Sequence, residues 1–238
     1  MKKISYGIDA PHVVRNLFIF SIIGFVVSIF FPLIQIGQID IHTSGFIWMG
    51  FSCGLMGVWM LLYSVYGKLK HRDRILNMIN WKGNEMVLDI GTGRGLLMIG
   101  AAKRLTSGKS IGIDIWNMED LTQNKIEHTT DNVVLEGVKD RVEIKNDNAM
   151  SMSFADNTFD IVISNLCLHN IYNSEDRKKA CYEICRVLKK GGTAIISDFR
   201  HIREYKNNFV QAGLQTELLP AAYFTTFPPL PILKIYKG

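Results

Sequence analysis

The sequence predicts a parallel α/β domain, from about residue 68 to 238, behind an apolar helical hairpin over residues 1–67. Three observations carry this. An apolar strand, Val87-Leu88-Asp89-Ile90, runs into the turn Gly91-Thr92-Gly93-Arg94-Gly95 and then into the apolar helix start Leu96-Leu97-Met98-Ile99. From Lys68 onward, short apolar runs alternate with helical patterns, which is how parallel strands and their crossover helices read in sequence. Ahead of Lys68 lie two long runs almost free of charge.

The 24 residues between Arg15 and Asp40 carry no charge, and the 27 between Asp40 and Lys68 carry no acidic or permanently basic side chain. A helix rises about 1.5 Å per residue and a bilayer core is about 30 Å thick, so each run can span. Spans are predicted over 16–36 and 44–66. A cleaved signal peptide would have an apolar core of about 7–15 residues and no second span directly after it; a buried core helix is the alternative for the second run. The connecting loop, residues 37–43, carries only Asp40 and His42. Lys2, Lys3 and Arg15 precede the first span, while Lys68, Lys70, Arg72 and Arg74 follow the second. Cationic flanks stay on the cytoplasmic side, which predicts an integral membrane protein with both termini and the larger domain in the cytoplasm.

The formal net charge of +5 does not point to nucleic acid, because four of the cations sit with one acid, Asp73, in residues 68–74. There they fit attraction to anionic lipid. In the lead-in Tyr6–Arg15, Pro11 suits the first turn of a helix with Asp9 or Ala10 as its cap. This segment either lies at the membrane interface or folds back toward the active site. Cys53, Cys167, Cys181 and Cys185 lack paired metal-type spacing, and a reducing compartment keeps them as thiols.

In the larger domain, strands are predicted near 86–90, 109–113, 142–146, 159–164, 193–198, 214–220 and 231–236. Helices are predicted near 68–80, 95–105, 121–137, 174–189 and 202–213. The glycine turn lets backbone pass close to a ligand, and the helix it opens offers unpaired N–H groups. Asp114, nineteen residues after Gly95, ends a second strand where a carboxylate can accept both hydroxyls of a ribose. A dinucleotide fingerprint needs glycine where this chain has Leu96, and a phosphate loop needs Gly-Lys followed by Ser or Thr, which is missing.

The Gly-x-Gly-x-Gly turn after an Asp-bearing strand resembles motif I of the class I S-adenosylmethionine-dependent methyltransferases. Further matches are Phe154-Ala155-Asp156-Asn157-Thr158-Phe159-Asp160-Ile161-Val162-Ile163-Ser164-Asn165, the loop Leu166–Ile171, and Arg186-Val187-Leu188-Lys189-Lys190-Gly191-Gly192-Thr193-Ala194-Ile195-Ile196-Ser197-Asp198. The resemblance is to the ubiquinone/menaquinone-biosynthesis-like group and covers about residues 75–200. It implies a Rossmann-like seven-stranded sheet, with the seventh strand (Ile232–Tyr236 is the candidate) antiparallel beside the fifth.

The same resemblance implies S-adenosylmethionine as cofactor and S-adenosylhomocysteine as product. Gly91, Gly93 and Gly95 would pass beneath the methionyl portion, with Asp89 near its amine and Asp114 on the ribose. Ile115 or Trp116 would pack on adenine. The family's Gly-Asp-Ala triplet reads Asn146-Asp147-Asn148-Ala149-Met150 here, which puts Asn148, followed by Ala149, in the place of the acid that meets the adenine amino group. Asn165 closes the fourth strand at the cofactor. Beside the expected methyl position, His169 is the candidate general base. Arg200, His201, Arg203 and Tyr205 either line an acceptor pocket or form a solvated helix start. Asn165 is followed by Leu-Cys-Leu where enzymes acting on planar amides or exocyclic amines have Pro-Pro and an aromatic, which disfavours DNA adenine and glutamine. The reading is methyl transfer to a small, lipophilic or membrane-associated acceptor. Its rivals are a soluble small molecule or thiol as acceptor, a non-catalytic cofactor-binding scaffold, and a nicotinamide-dependent reductase weakened by Leu96.

Overall fold

The computed structural model describes residues 3–116, 125–223 and 225–238. Helix α1 (Pro11–Phe30) leads into a two-stranded hairpin, β1 (Leu33–Ile36) and β2 (Ile39–His42), and then into α2 (Phe46–Leu62). A π-helical turn, Tyr63–Gly67, joins α2 to α3 (Lys68–Leu76), so the helix runs without a break from 46 to 76. Both long helices have the length and apolarity to cross a membrane.

These bounds correct the expected 16–36 and 44–66. The first helix begins at Pro11, whose fixed φ suits a first helical position, with Ala10 at the cap. It stops at Phe30 because Pro32 cannot continue the ladder and pushes Phe31 out of the helical region. Ile34-Gln35-Ile36 and Ile39-Asp40-Ile41-His42 alternate in polarity, and Leu33–Ile36 pairs antiparallel with Ile39–His42 across Gly37-Gln38, Leu33 opposite His42. The loop expected between the spans is therefore a small exposed β-hairpin.

Helices α1 and α2 meet through small residues. A Cβ on Gly24 would lie 2.7 Å from the Gly50 nitrogen, so the two backbones touch there. Ser21 Oγ donates across the seam to the Gly50 carbonyl at 2.7 Å. Large apolar side chains, among them Ile22, Ile29, Phe30, Trp48, Phe51 and Leu55, face outward. Small residues inside and large apolar ones outside suit a hydrocarbon surrounding, where packing and interhelical hydrogen bonds hold helices together.

The remaining chain forms β3 (Met86–Ile90), α4 (Leu96–Ala102), β4 (Lys109–Asp114), α5 (Ile126–Leu135), β5 (Val142–Asn146), β6 (Phe159–Asn165), α6 (Ser174–Val187), β7 (Leu188–Ser197), α7 (Ile202–Gln211), β8 (Gln215–Leu219) and β9 (Ile232–Tyr236). Every predicted strand is present within a few residues, except that β7 starts earlier, where Leu188 already pairs with Phe159. Part of the helix expected from 121 lies outside the described residues. The strands make one seven-stranded sheet in the order β5-β4-β3-β6-β7-β9-β8. Strand β9 is antiparallel to both β7 and β8, with Ile195 opposite Lys234, as expected for Ile232–Tyr236.

Alternate residues of each strand serve opposite faces. Val87, Ile161, Ile163 and Ile195 pack with Ile75, Leu76, Leu97 and Ala101 from α3 and α4. Leu88, Ile90, Val162 and Ile196 pack on the other face with Ala180, Ile184, Tyr205 and Phe209 from α6 and α7. The sheet is thus covered on one side by α3, the extension of the second long helix. The chain turns back between β5 and β6, so β3 and β6 lie side by side while their crossovers leave in opposite directions. In such sheets ligands collect at the carboxyl ends of that pair.

Candidate active site

Turn 91–95 sits at the end of β3. Gly91, Gly93 and Gly95 all have positive φ (72°, 50° and 85°). At Gly91 a side chain would also strike Cys167, whose Sγ lies 2.3 Å from where a Cβ would be. The turn is held from β4: the amides of Gly91 and Thr92 donate to the Ile113 carbonyl at 2.9 and 3.0 Å. Asp114 Oδ2 accepts from the Gly93 amide at 2.8 Å and Oδ1 from the Trp116 amide at 2.7 Å. Asp114 is therefore locked in orientation at the mouth of the turn.

These groups line a cavity of about 800 Å³. Of the sequence-predicted cofactor residues, Asp89, Gly91, Gly93, Asp114, Ile115, Asn148, Ala149 and Asn165 line it. Gly95 does not; it is the left-handed cap that starts α4. Ile115 is 65 % exposed and offers a flat apolar side at the rim. Trp116 is absent from the lining. Asn148 Oδ1 already accepts the Met150 amide at 2.9 Å, and Asp147 lines the cavity next to it. The glycine bends, the fixed Asp114 and the apolar rim at Ile115 fit a nucleoside with an attached amino-acid chain.

Asp89, expected near the amine directly or through water, is already engaged within the protein. It is almost wholly buried, and its Oδ2 accepts from Thr92 Oγ1 and from the Met98 amide, each at 2.9 Å. Burial pushes its carboxyl up to about 7, against the pull of those two bonds. It ties the turn to α4 while facing the cavity edge.

His169 follows β6 and lines the same cavity. Its Nδ1 stands 2.8 Å from Asp198 Oδ1, and Asp198 Oδ2 accepts the His169 amide at 3.1 Å. Asp198 is fully buried at the end of β7, and Phe199 packs edge-on against the imidazole at 4.7 Å. The 2.8 Å approach lacks hydrogen-bond alignment, so Asp198 stands beside Nδ1 while its bond to the His169 amide and the Phe199 ring hold the residue at the cavity. The sequence reading took His169 without Asp198, although both end adjacent parallel strands. The acceptor-pocket alternative for the α7 start is corrected: Tyr205 is fully buried in the core, His201 pairs with Glu204 at 3.2 Å, and none of Arg200, His201, Arg203 or Tyr205 lines the cavity.

The cavity's other wall includes the lead-in segment, in line with the fold-back alternative for residues 6–15, and adds a part of the second long helix that the sequence reading did not anticipate. Val13 of α1, Met60 of α2 and Tyr63 and Lys68 from the helix leaving the hairpin all line it, with Phe227 and Pro228. The segment before α1 crosses the larger domain. The Ser5 amide donates to Asn132 Oδ1 at 3.1 Å, Asn132 Nδ2 returns to the Ser5 carbonyl at 3.0 Å, and Tyr6 Oη donates to Glu136 at 2.8 Å. Lys68 Nζ gathers the carbonyls of Tyr6 (3.0 Å) and Gly7 (2.7 Å) together with Asp9 (3.2 Å). The short run Tyr6–Asp9 is therefore strapped between the cavity and the hairpin helix.

Residues 88–196 match the family described as a methyltransferase domain. The demethylmenaquinone methyltransferase of Lactiplantibacillus plantarum is 36 % identical over 126 residues, covering 52 % of this chain and 49 % of that protein. The ubiquinone/menaquinone biosynthesis C-methyltransferase UbiE of Hydrogenovibrio crunogenus is 31 % identical over 120 residues, covering 50 % and 44 %. The chain therefore aligns with about half the length of these curated relatives. The crystal structure of a SAM-dependent methyltransferase from Aquifex aeolicus superposes with a TM-score of 0.55 at 19 % identity, over 71 % of this chain and 89 % of that one. Together these findings support a class I methyltransferase domain and S-adenosylmethionine as its cofactor.

Proposed function

We propose that this protein transfers the methyl group of S-adenosylmethionine to a lipophilic acceptor drawn from the cytoplasmic surface of a membrane, with a ring carbon of a quinone-related compound as the leading target. The observation that carries this is the continuity of one cavity from the glycine turn and Asp114, past His169, to the walls supplied by α1 and α2. A cofactor-binding scaffold needs no such space beyond the methyl position.

S-adenosylmethionine supplies, when bound, a methyl carbon made electrophilic by a positively charged sulfur, which departs as a neutral thioether. The protein's part is alignment and proton removal. Asp114 and the 91–95 turn hold the nucleoside and amino-acid ends, so that proximity contributes several kcal/mol, up to about 10, without a covalent step. His169, oriented by Asp198, accepts the proton that the acceptor loses as its new bond to the methyl forms. Asp9, Val13, Met60 and Phe227 form the far wall, and the strapped run Tyr6–Asp9 closes the side between the domain and the hairpin. The two apolar helices support an integral hairpin, and its cationic flanks support a cytoplasmic domain.

The test supplies a short-chain isoprenyl naphthohydroquinone in detergent with S-adenosylmethionine and the full chain, analysed by mass spectrometry. The expected product carries one added methyl on a ring carbon and is missing with Asp114→Ala. Methylation confined to a water-soluble acceptor or to a thiol would overturn the proposed acceptor class.

A further inference from the structure

The small β-hairpin between the two long helices is two-faced. Its register sets Ile34 opposite Ile41 and Ile36 opposite Ile39, while Leu33 meets His42 and Gln35 meets Asp40. Residues directly opposite share a face, and neighbours along a strand do not. One face is therefore four isoleucines, and the other is Gln35, Asp40 and His42 with Leu33 beside them. The described residues leave the isoleucine face open: Ile34, Ile36, Ile39 and Ile41 are 36, 62, 65 and 39 % exposed. A two-stranded hairpin is marginal in water unless its apolar face packs on something, and a contiguous exposed apolar face marks a contact.

Its place on the helices points to the partner. Thr43 fastens the base, its amide donating to the Pro32 carbonyl at 3.1 Å and its hydroxyl to the Phe31 carbonyl. The flanking Phe30, Phe31, Phe46 and Trp48 are exposed as well. From Arg15, itself exposed, to Phe30 the helix rises about 22 Å, less than the roughly 30 Å of a bilayer core. A helix entering lipid at Arg15 therefore ends short of the far boundary, which puts the β-hairpin at lipid level. Residues 16–67 contain no Lys or Arg, as suits the side away from the cytoplasm. We propose that the isoleucine face is a lipid-contact surface on the non-cytoplasmic leaflet, with Ile34, Ile36, Ile39 and Ile41 among the acyl chains and Gln35, Asp40 and His42 toward water. This rests on the proposed membrane hairpin and goes beyond it. The surface fixes the depth of the helix pair, and so the level of the cavity wall formed by Val13 and Met60.

The test places a nitroxide spin label singly at Gln35→Cys, Ile36→Cys, Ile39→Cys or Asp40→Cys in the full chain, its own cysteines replaced by alanine, in phosphatidylcholine vesicles. All four sites are exposed, so the fold tolerates the label. Phe51→Cys, on the exposed side of α2, is the reference. Each label's collision rate is read with oxygen, which concentrates in lipid, and with a water-soluble nickel chelate. The oxygen-to-nickel ratio should be several-fold higher at Ile36→Cys and Ile39→Cys than at Gln35→Cys and Asp40→Cys. Equal ratios at all four sites, or the reverse alternation, with Phe51→Cys reading as lipid, would overturn the proposal and leave the membrane hairpin standing. Low access to both reagents at Ile36→Cys and Ile39→Cys would overturn it in favour of a second copy of the chain on that face. If Phe51→Cys itself reads as aqueous, the membrane hairpin falls and this surface falls with it.

Discussion

The hairpin and the sheet domain pack by opposite rules. Between α1 and α2 the backbones meet at Gly24 and Gly50 with Ser21 bonding across, Phe18 and Phe25 rest on Gly57 and Gly50, and many other large side chains face outward. Inside the sheet domain large side chains such as Leu88, Ile90, Val162 and Phe209 fill the space. The site lies where the two meet, on a helix that begins in the hairpin and ends as a layer of the sheet domain. The proposed catalytic groups come from strand ends and the remaining wall from the hairpin, so damage to each should read out differently.

The largest effect is expected at His169. His169→Ala should lower kcat by about 10²–10⁴-fold with little change in S-adenosylmethionine affinity, measured by single-turnover kinetics and calorimetry. Asp198→Asn, which leaves the imidazole in place but alters its support, should fall between that variant and wild type. Equal rates for His169→Ala and wild type would remove the division of labour between strand ends and hairpin.

The packing contrast predicts that the sheet domain is sensitive to lost volume and the helix seam to added volume. Leu88→Ala, which empties a fully buried site, should cost the sheet domain about 2–5 kcal/mol. Gly24→Ala, which adds a methyl where the α2 backbone passes 2.7 Å away, should cost the hairpin about 1–3 kcal/mol through overpacking. Urea denaturation followed by tryptophan fluorescence can separate them, because Trp48 reports on the hairpin and Trp81 on the sheet domain. A Gly24→Ala hairpin as stable as wild type would mean that the close seam is not what holds it.

Release of the strap comes next. Lys68→Met removes the group that gathers Tyr6, Gly7 and Asp9, so limited proteolysis should cut the N-terminal segment faster and turnover should fall while membrane insertion is unchanged. The smallest effect is a pH dependence. Asp89 keeps its proton up to about pH 7 because it is buried. A bound cation nearby favours the ionised form, so binding S-adenosylmethionine should release a proton below that pH and tighten as pH rises toward 7, levelling off above it. Titration calorimetry in buffers of different ionisation enthalpy measures the proton directly. Affinity flat from pH 5 to 8 would place the cation away from Asp89.

Much of the sheet domain was legible because its signals are local. Val87–Gly95 states strand and turn in nine residues, and the parallel strands read as short apolar runs. Asp114 was legible for the same reason, since its position depends on one strand end. The end of the first span was misread although Pro32 and the alternation across Gly37 were present, because a long uncharged run outweighed local punctuation. What could not be read was whatever depends on contacts across the fold. Asp198 meets His169 only because β6 and β7 are neighbours, and Tyr63 reaches the cavity only through a π turn with no sequence mark of its own. The strap held by Lys68 spans some sixty residues, a separation at which spacing carries no information.

The central claim, that the methyl group leaves the sheet domain on a lipophilic molecule taken from the membrane, is tested most directly with membranes containing this protein and methyl-labelled S-adenosylmethionine. Label should appear in the organic extract, and disappear from it with Asp114→Ala. Label that stays in the aqueous small molecules or on protein, with the organic extract blank, would contradict the account.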